Sequence, residues 1–483
     1  MGTASFNATI RRALALALLA APILAASPGS TWAQDAAPNP SIIPQTRPII
    51  MTNRWEENWV ALSNPKLRTQ PFDSLKYIPL LPNDPYSYLS FGLTIRERFE
   101  DNDAVNFGIG HIPDQAYLLQ RVQAHADLHL NENWEVFAQL EDDRAYGKKY
   151  LTAADQDQLD LRLLFLAYTT TFSNGSTLKA RIGRQDFLFD LQRFVSSRDG
   201  PNVRQSFDAI WADWETGRWR LIGFMSEPVQ YYNDRTFDDH ASTHFRFDTL
   251  RVEHLVLGNN ELSAYYSLYQ RSNASYLFAK GNENRQIFDI RFAGTHQAVD
   301  WDLEAMFQAG SVGPKTIRAW AVGTRTGYTF HNAMWQPRIG LQLDAASGDT
   351  HPGSHVLGTF NPLFPNGYYF TLAGYTGYTN LIHVKTSLTV KPAKNLAVTG
   401  ALGFLWRETT ADAIYVQPNV PLAGTAGHGG GYTGAYAQFR VDYVFTPNLT
   451  GAIEAVHYQV GNAIRHAGGH NSDYLGTELK FSW

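Results

Sequence analysis

The sequence runs to 483 residues with a net charge of −5, and only 18% of it is charged. It contains no cysteine, which excludes a disulfide framework, a thiolate metal site and a cysteine nucleophile. The acidic balance argues against a nucleic-acid-binding surface, while 28 Phe, 24 Tyr, 12 Trp and 38 Gly suit many half-buried strands joined by tight turns.

Taken in chain order, residues 1–33 read as a secretory signal: Arg11 and Arg12 are the positive region, Ala13 to Ala26 the apolar stretch, and Thr31-Trp32-Ala33 the small-residue cleavage site. The apolar stretch is shorter than the ~20 residues a spanning helix needs. No cysteine follows it to carry a lipid. Beyond it no run of about 18 apolar residues occurs, so the mature chain is expected to be either soluble in the periplasm or a β-barrel. Residues 34–85, rich in proline and tryptophan, are expected to be a periplasmic N-terminal segment, with the barrel over 86–483.

From there the chain alternates with period two, apolar on one face and polar on the other. Tyr88 to Arg98 sets Leu89, Phe91, Leu93 and Ile95 against Tyr88, Ser90, Thr94, Arg96 and Arg98. Trp335 to Asp344 sets Trp335, Pro337, Ile339, Leu341 and Leu343 against Gln336, Arg338, Gly340, Gln342 and Asp344, although Pro337 would remove a ladder hydrogen bond unless a bulge or strand start falls there. Tyr436 to Phe445 repeats the pattern around Gln438, Arg440 and Asp442. A soluble sandwich also alternates; the connections separate the two cases. Long links at about 101–115, 142–157, 186–205, 227–243, 271–284, 309–316, 345–379, 407–433 and 459–472 alternate with short turns such as Asn131-Glu132-Asn133, Leu257-Gly258-Asn259-Asn260 and Thr446-Pro447-Asn448. That predicts an all-β transmembrane antiparallel up-and-down barrel of about 18 strands, with long extracellular loops, short periplasmic turns and both termini in the periplasm. Leu475, Thr477, Leu479, Phe481 and the terminal Trp483 alternate to the last residue, like the signal read by the barrel assembly machinery.

The same alternation assigns a pore lining. Arg96, Arg98, Arg121, Arg162, Arg181, Arg338 and Arg440 fall on polar faces, as do Arg220, Arg251, Arg291 and Arg407, among acids such as Asp127, Glu135, Asp302, Glu304, Asp344 and Glu454. Arginine carries a charge that cannot be titrated away and a planar fork that binds carboxylate in two places. Two readings stay open: the arginines bind successive carboxylates of a polyanion, or they pair with lumen acids and stiffen the wall. His125, Asp127 and His129 alternate on one face and could ligate a metal, but a polar lumen face explains them, and no metal site, cofactor or catalytic residue is expected.

Two stretches resemble the alginate export family of outer-membrane porins. The first is Trp55-Glu56-Glu57-Asn58-Trp59, with Pro65-Lys66-Leu67-Arg68-Thr69 and Leu75-Lys76-Tyr77-Ile78-Pro79-Leu80, leading into the strand with Arg96, Arg98 and Glu100. The second is Arg181-Ile182-Gly183-Arg184-Gln185, then Gln192-Arg193-Phe194-Val195-Ser196-Ser197-Arg198-Asp199-Gly200-Pro201-Asn202-Val203-Arg204 and Ser206-Phe207-Asp208. The resemblance implies a monomeric barrel whose electropositive constriction passes a polyuronate by diffusion. Arg96, Arg98, Arg121, Arg181, Arg184, Arg193 and Arg204 are the basic residues it carries over, and the link after residue 185 is expected to fold into the pore with Arg193 and Arg204 at the constriction. It also implies a periplasmic turn able to plug the pore. Every periplasmic turn found here is short, which leaves residues 34–85 as the only periplasmic segment long enough to gate or to dock a partner. The expected function is therefore an outer-membrane diffusion channel of a Gram-negative bacterium, passing an anionic, alginate-like polysaccharide. The alternatives are a small-anion or sugar porin without polymer specificity and, from another class, an outer-membrane enzyme or adhesin. Expected partners are the polysaccharide, membrane lipid and lipopolysaccharide, the assembly machinery and periplasmic export proteins.

Overall fold

A computed structural model describes residues 43–110 and 112–483; the expected signal over 1–33, and the start of the segment over 34–85, lie outside the described residues. Eighteen strands make the wall: β1 (Asp84–Asn102), β2 (Gln115–His129), β3 (Trp134–Tyr146), β4 (Asp157–Thr171), β5 (Thr177–Gln185), β6 (Phe207–Thr216), β7 (Trp219–Gln230), β8 (Phe245–Val256), β9 (Asn260–Ser275), β10 (Lys280–His296), β11 (Val299–Val312), β12 (Lys315–Thr329), β13 (Arg338–Ala346), β14 (Leu381–Ala393), β15 (Leu396–Trp406), β16 (Tyr432–Thr446), β17 (Leu449–Val460) and β18 (Ser472–Ser482). Each pairs antiparallel with its neighbours in sequence, and β1 closes on β18 from Thr94↔Ser482 to Asn102↔Tyr474. The wall therefore has no free edge, as expected from the sequence.

The alternation maps onto two environments. Phe91, Ile182, Ile210, Leu250, Ile290, Leu341, Leu402, Phe439 and Leu479 point outward and are exposed. In water such a surface would be an aggregation hazard; against lipid it is the expected outer band. Trp134, Trp214, Trp219, Trp335, Tyr443 and Phe445 are also exposed, close to the short turns. The amphipathic Trp and Tyr rings among them suit a membrane interface.

Two expectations about the connections are corrected. The links placed at 271–284 and 309–316 shrink to the segments 276–279 and 313–314, because β9 to β12 run on through the polar residues. Charge alternation there belongs to long strands whose inward positions are polar, such as Glu283 and Arg285. Pro337 lies just before β13, where its carbonyl accepts from Phe330 N and no ladder donor is missing. The turn holding it, 330–337, is the longest at that end of the barrel.

Several long links turn inward. Residues 186–206 and 347–380 enter the lumen and pack on each other: Phe364 N donates to Phe194 O at 2.9 Å, and Val195 and Phe364 form a parallel bridge. Phe187, Phe189, Phe194, Phe360, Phe364, Phe370 and Tyr378 are buried there, in one cluster with the inner wall. The core of this protein is thus inside the barrel. Residues 407–431 join from the same end, where the buried Arg407 donates to the carbonyls of Thr410, Asp412, Thr425, His428 and Gly430.

Candidate functional site: the barrel lumen

The tip of the first inward link is the Asp199-Gly200-Pro201-Asn202 turn. Arg96 and Arg121 are directly opposite each other on β1 and β2, and both reach it. Arg96 donates to Asp199 O at 2.7 Å and Asn202 Oδ1 at 3.1 Å; Arg121 donates to Asn202 O and Asp199 Oδ1 at 2.8 Å each. Burial favours a neutral Asp199, but Arg204 and Arg121 outweigh it and hold the carboxyl well below the usual range. The run that carried the resemblance is therefore a clamp that keeps the link inside the barrel.

Most of the other expected site arginines are also held. Arg98 is buried against Glu100 and Glu454 at 2.6 Å each and Glu478 at 3.2 Å. Arg162 meets Asp186 at 2.5 Å and Glu141 at 3.6 Å. Arg204 donates to Ser197 Oγ at 2.8 Å and stands 3.4 Å from Asp199. Arg338 pairs with Asp300 at 2.5 Å and Arg440 with Asp442 at 2.7 Å. Arg193, placed by the resemblance at a constriction, has a fully buried side chain that contacts Asp302 at 2.5 Å and Glu304 and Tyr369 at 2.6 Å each. It ties the two inward links to β11 and faces no open channel. Arg184 has the opposite strand parity from Arg181; it pairs with Asp208 at 2.8 Å and donates to Asp239 O, apart from the lumen cluster.

The room Arg193 fills is left by Gly323 on β12. A Cβ there would stand 2.7 Å from both Arg193 Nε and Tyr378 Oη. Neither can retreat, because Arg193 is fixed by two acids and the Tyr378 hydroxyl donates to Val322 O at 2.8 Å and Asp344 at 3.1 Å. Gly323→Ala is expected to cost about 1–3 kcal/mol, read as a lower temperature for loss of the compact barrel band on heat-modified gels. An unchanged transition would show that this contact is slack.

Arg181 is different. Its guanidinium lies 4.1 Å from the Trp211 ring, 5.5 Å from Phe165 and 5.8 Å from Trp55, and its Nε and Nη1 have no hydrogen-bond partner. It faces a chamber of about 1040 Å³ that also takes in Asp190, Arg220, Arg251, Glu261, Arg291 and Arg325. Sequence reading missed Asp190, a link residue that Arg251 holds at 2.7 Å and Arg291 at 2.8 Å. Burial alone would raise its pKa, yet these two arginines keep it below the usual carboxylate range. The only hint was an acid set between Phe187 and Leu191, beside Phe189, in the link expected to fold into the pore.

The floor of the chamber is the N-terminal segment, which enters the barrel from the short-turn end. Trp55 packs edge-on against Phe137 and Phe165, with centroids 6.0 and 6.2 Å away. Arg54 donates to Thr94 Oγ1 at 3.0 Å and to Trp483 O at 2.8 Å, and Trp59 N donates to the Tyr88 hydroxyl. His125 stacks on Phe137 and does not join Asp127 and His129; Glu135 takes its place beside them.

The sequence model of the family described as alginate export matches residues 87–478. The chain belongs to that family. No curated protein matches the sequence. Among solved structures, OccK2 (OpdF) of Pseudomonas aeruginosa, in complex with glucuronate, is similar with a TM-score of 0.53 at 14% identity, over 84% of this chain and 100% of that one. OccK3 (OpdO) of the same organism gives 0.54 at 13% identity, over 82% and 95%, and OccK11 (OpdR) gives 0.52 at 12%, over 82% and 95%. At such identities the likeness is one of fold. The family fixes an outer-membrane channel as the broad class, on the wall described above.

Proposed function

We propose that this protein is a diffusion channel in the outer membrane of a Gram-negative bacterium, passing an anionic polysaccharide of the alginate-like polyuronate class. The short turns then lie in the periplasm, and the chamber is the vestibule where the polymer enters or leaves. The observation that carries the reading is Arg181, a cation whose Nε and Nη1 lack a hydrogen-bond partner and which faces the chamber, in a member of the alginate export family. A buried N–H without a partner costs free energy, and a substrate carboxylate at either atom would supply one. Trp55 and Trp211 line the chamber beside it. OccK2, of the same fold, was solved with glucuronate, itself a uronic acid. Transport of this kind needs no cofactor and no chemical step, and each barrel encloses its own pore.

The pairing of Arg98, Arg162 and Arg193 with acids favours a second reading, a small-anion porin whose lumen arginines set ordinary selectivity. Planar-bilayer recording separates the two. A polyuronate applied from the periplasmic side is expected to block an anion-selective current, and Arg181→Gln to weaken that block roughly 10- to 150-fold, the loss of one charged hydrogen-bonding site at about 1.5–3 kcal/mol. A current that is not anion-selective, or that the polymer leaves untouched, overturns the polymer reading.

A further inference from the structure

We propose that Asp127, His129 and Glu135 form a binding site for one divalent transition-metal ion of the zinc class at the short-turn mouth of the barrel. Asp127 and His129 share a face of β2 two residues apart, and His129 pairs in register with Glu135 on β3. One donor atom from each lies within 4.8 Å of the others, and His129 Nε2 is 3.0 Å from Asp127 Oδ2. Donors around a tetrahedral ion at ~2.0–2.2 Å stand roughly 3.3–3.6 Å apart, so small side-chain movements complete the set. One imidazole and two carboxylates are a donor set that suits such an ion.

Unsatisfied atoms point the same way. Asp127 is only 2% exposed, yet its Oδ1 has no hydrogen-bond partner, and neither has Glu135 Oε1. A divalent ion neutralises the two carboxylates together and occupies the orphan oxygens. The buried Lys76 ammonium does not fill that role: it lies 3.9 Å from Glu57 and over the Trp59 and Trp483 rings, and hydrogen-bonds to none of the three. The His129 ring is held by stacking on Tyr88 at 4.4 Å, which fixes the direction of its nitrogens. His129 and Glu135 both line the chamber, which gives the ion a way in and leaves a coordination position open to water or to a carboxylate.

The site does not depend on what the barrel transports, and its test reads metal alone. The full-length barrel in detergent, dialysed against chelator, is titrated with Zn²⁺ by calorimetry, and Co²⁺ is added separately for its visible absorption bands. One equivalent is expected to bind, with affinity falling at least tenfold in His129→Ala and in Glu135→Gln and holding in His125→Ala. The compact, heat-modifiable band verifies that each variant is folded, and Glu135→Gln serves if His129→Ala is not. No uptake by the wild-type barrel, uptake that survives His129→Ala, or loss in a folded His125→Ala would overturn the assignment.

Discussion

Replacing Trp55 by alanine is expected to raise the single-channel conductance and to expose residues 50–77 to protease, with the melting of the wall unchanged. Trp55 is the wedge of the N-terminal segment: its ring meets Phe137 and Phe165 on the inner wall and lies 5.8 Å from the Arg181 guanidinium. Truncating a large aromatic costs about 3–5 kcal/mol in a closed core, and Trp55 is only half-buried, so about 2–3 kcal/mol is reasonable here. The loss falls on docking of the segment, because the wall closes through β1 and β18 without it. It shifts the docked-to-free ratio roughly 30- to 150-fold. Arg54 and Trp59 still hold the neighbouring residues through Thr94, Trp483 and Tyr88, so the segment is expected to flicker and not to leave. The record should show added open-channel noise and longer openings. Conductance and protease pattern identical to wild type would mean that the segment does not gate.

The barrel was legible because lipid on one side and a polar lumen on the other force a period of two on every strand, and Phe91, Leu341 and Phe439 obey it. The strand count survived errors in the connections, since each hairpin contributes two strands however long its link is. What lies inside the barrel was harder to read. Glycine, proline and asparagine around residues 186–206 and 347–380 have the composition of external loops, and only their density in Phe and Tyr betrays a surface that must be buried. Alternation assigns the arginines to strand faces but says nothing about partners, and Arg407 lies beyond its strand, in the link that follows β15. Arg96 and Arg121 bind the backbone of a distant turn, which no strand pattern can reveal. The parity of Arg184 was readable: three residues from Arg181, it cannot share a face with it in a regular strand. His125, Asp127 and His129 do share a face, yet Glu135 enters the group only through the hairpin register.

Arg193 marks the largest difference between what the family resemblance implied and what the packing implies. As a residue at a constriction, its replacement would weaken polymer block and leave stability alone. With its side chain fully buried between Asp302 and Glu304, Arg193→Ala is expected instead to destabilise the barrel interior by about 3–5 kcal/mol, the usual cost of breaking a buried ion pair from one side. Asp302 keeps Arg291 at 2.6 Å, so most of the penalty falls on Glu304. That makes a rescue specific: Arg193→Met with Glu304→Gln keeps the volume, removes the stranded charge and should recover most of the loss, whereas Arg193→Met alone should not. Tyr369 loses its arginine donor in every variant and keeps only its bond to Asp344, so the link over residues 347–380 should loosen and open-channel noise should rise even in the rescued barrel. Melting followed by circular dichroism, with bilayer recording on the same preparations, decides it. An Arg193→Ala barrel that melts like wild type but no longer responds to polyuronate would make Arg193 a substrate contact, and the inward links would then have to open far enough for polymer to reach it.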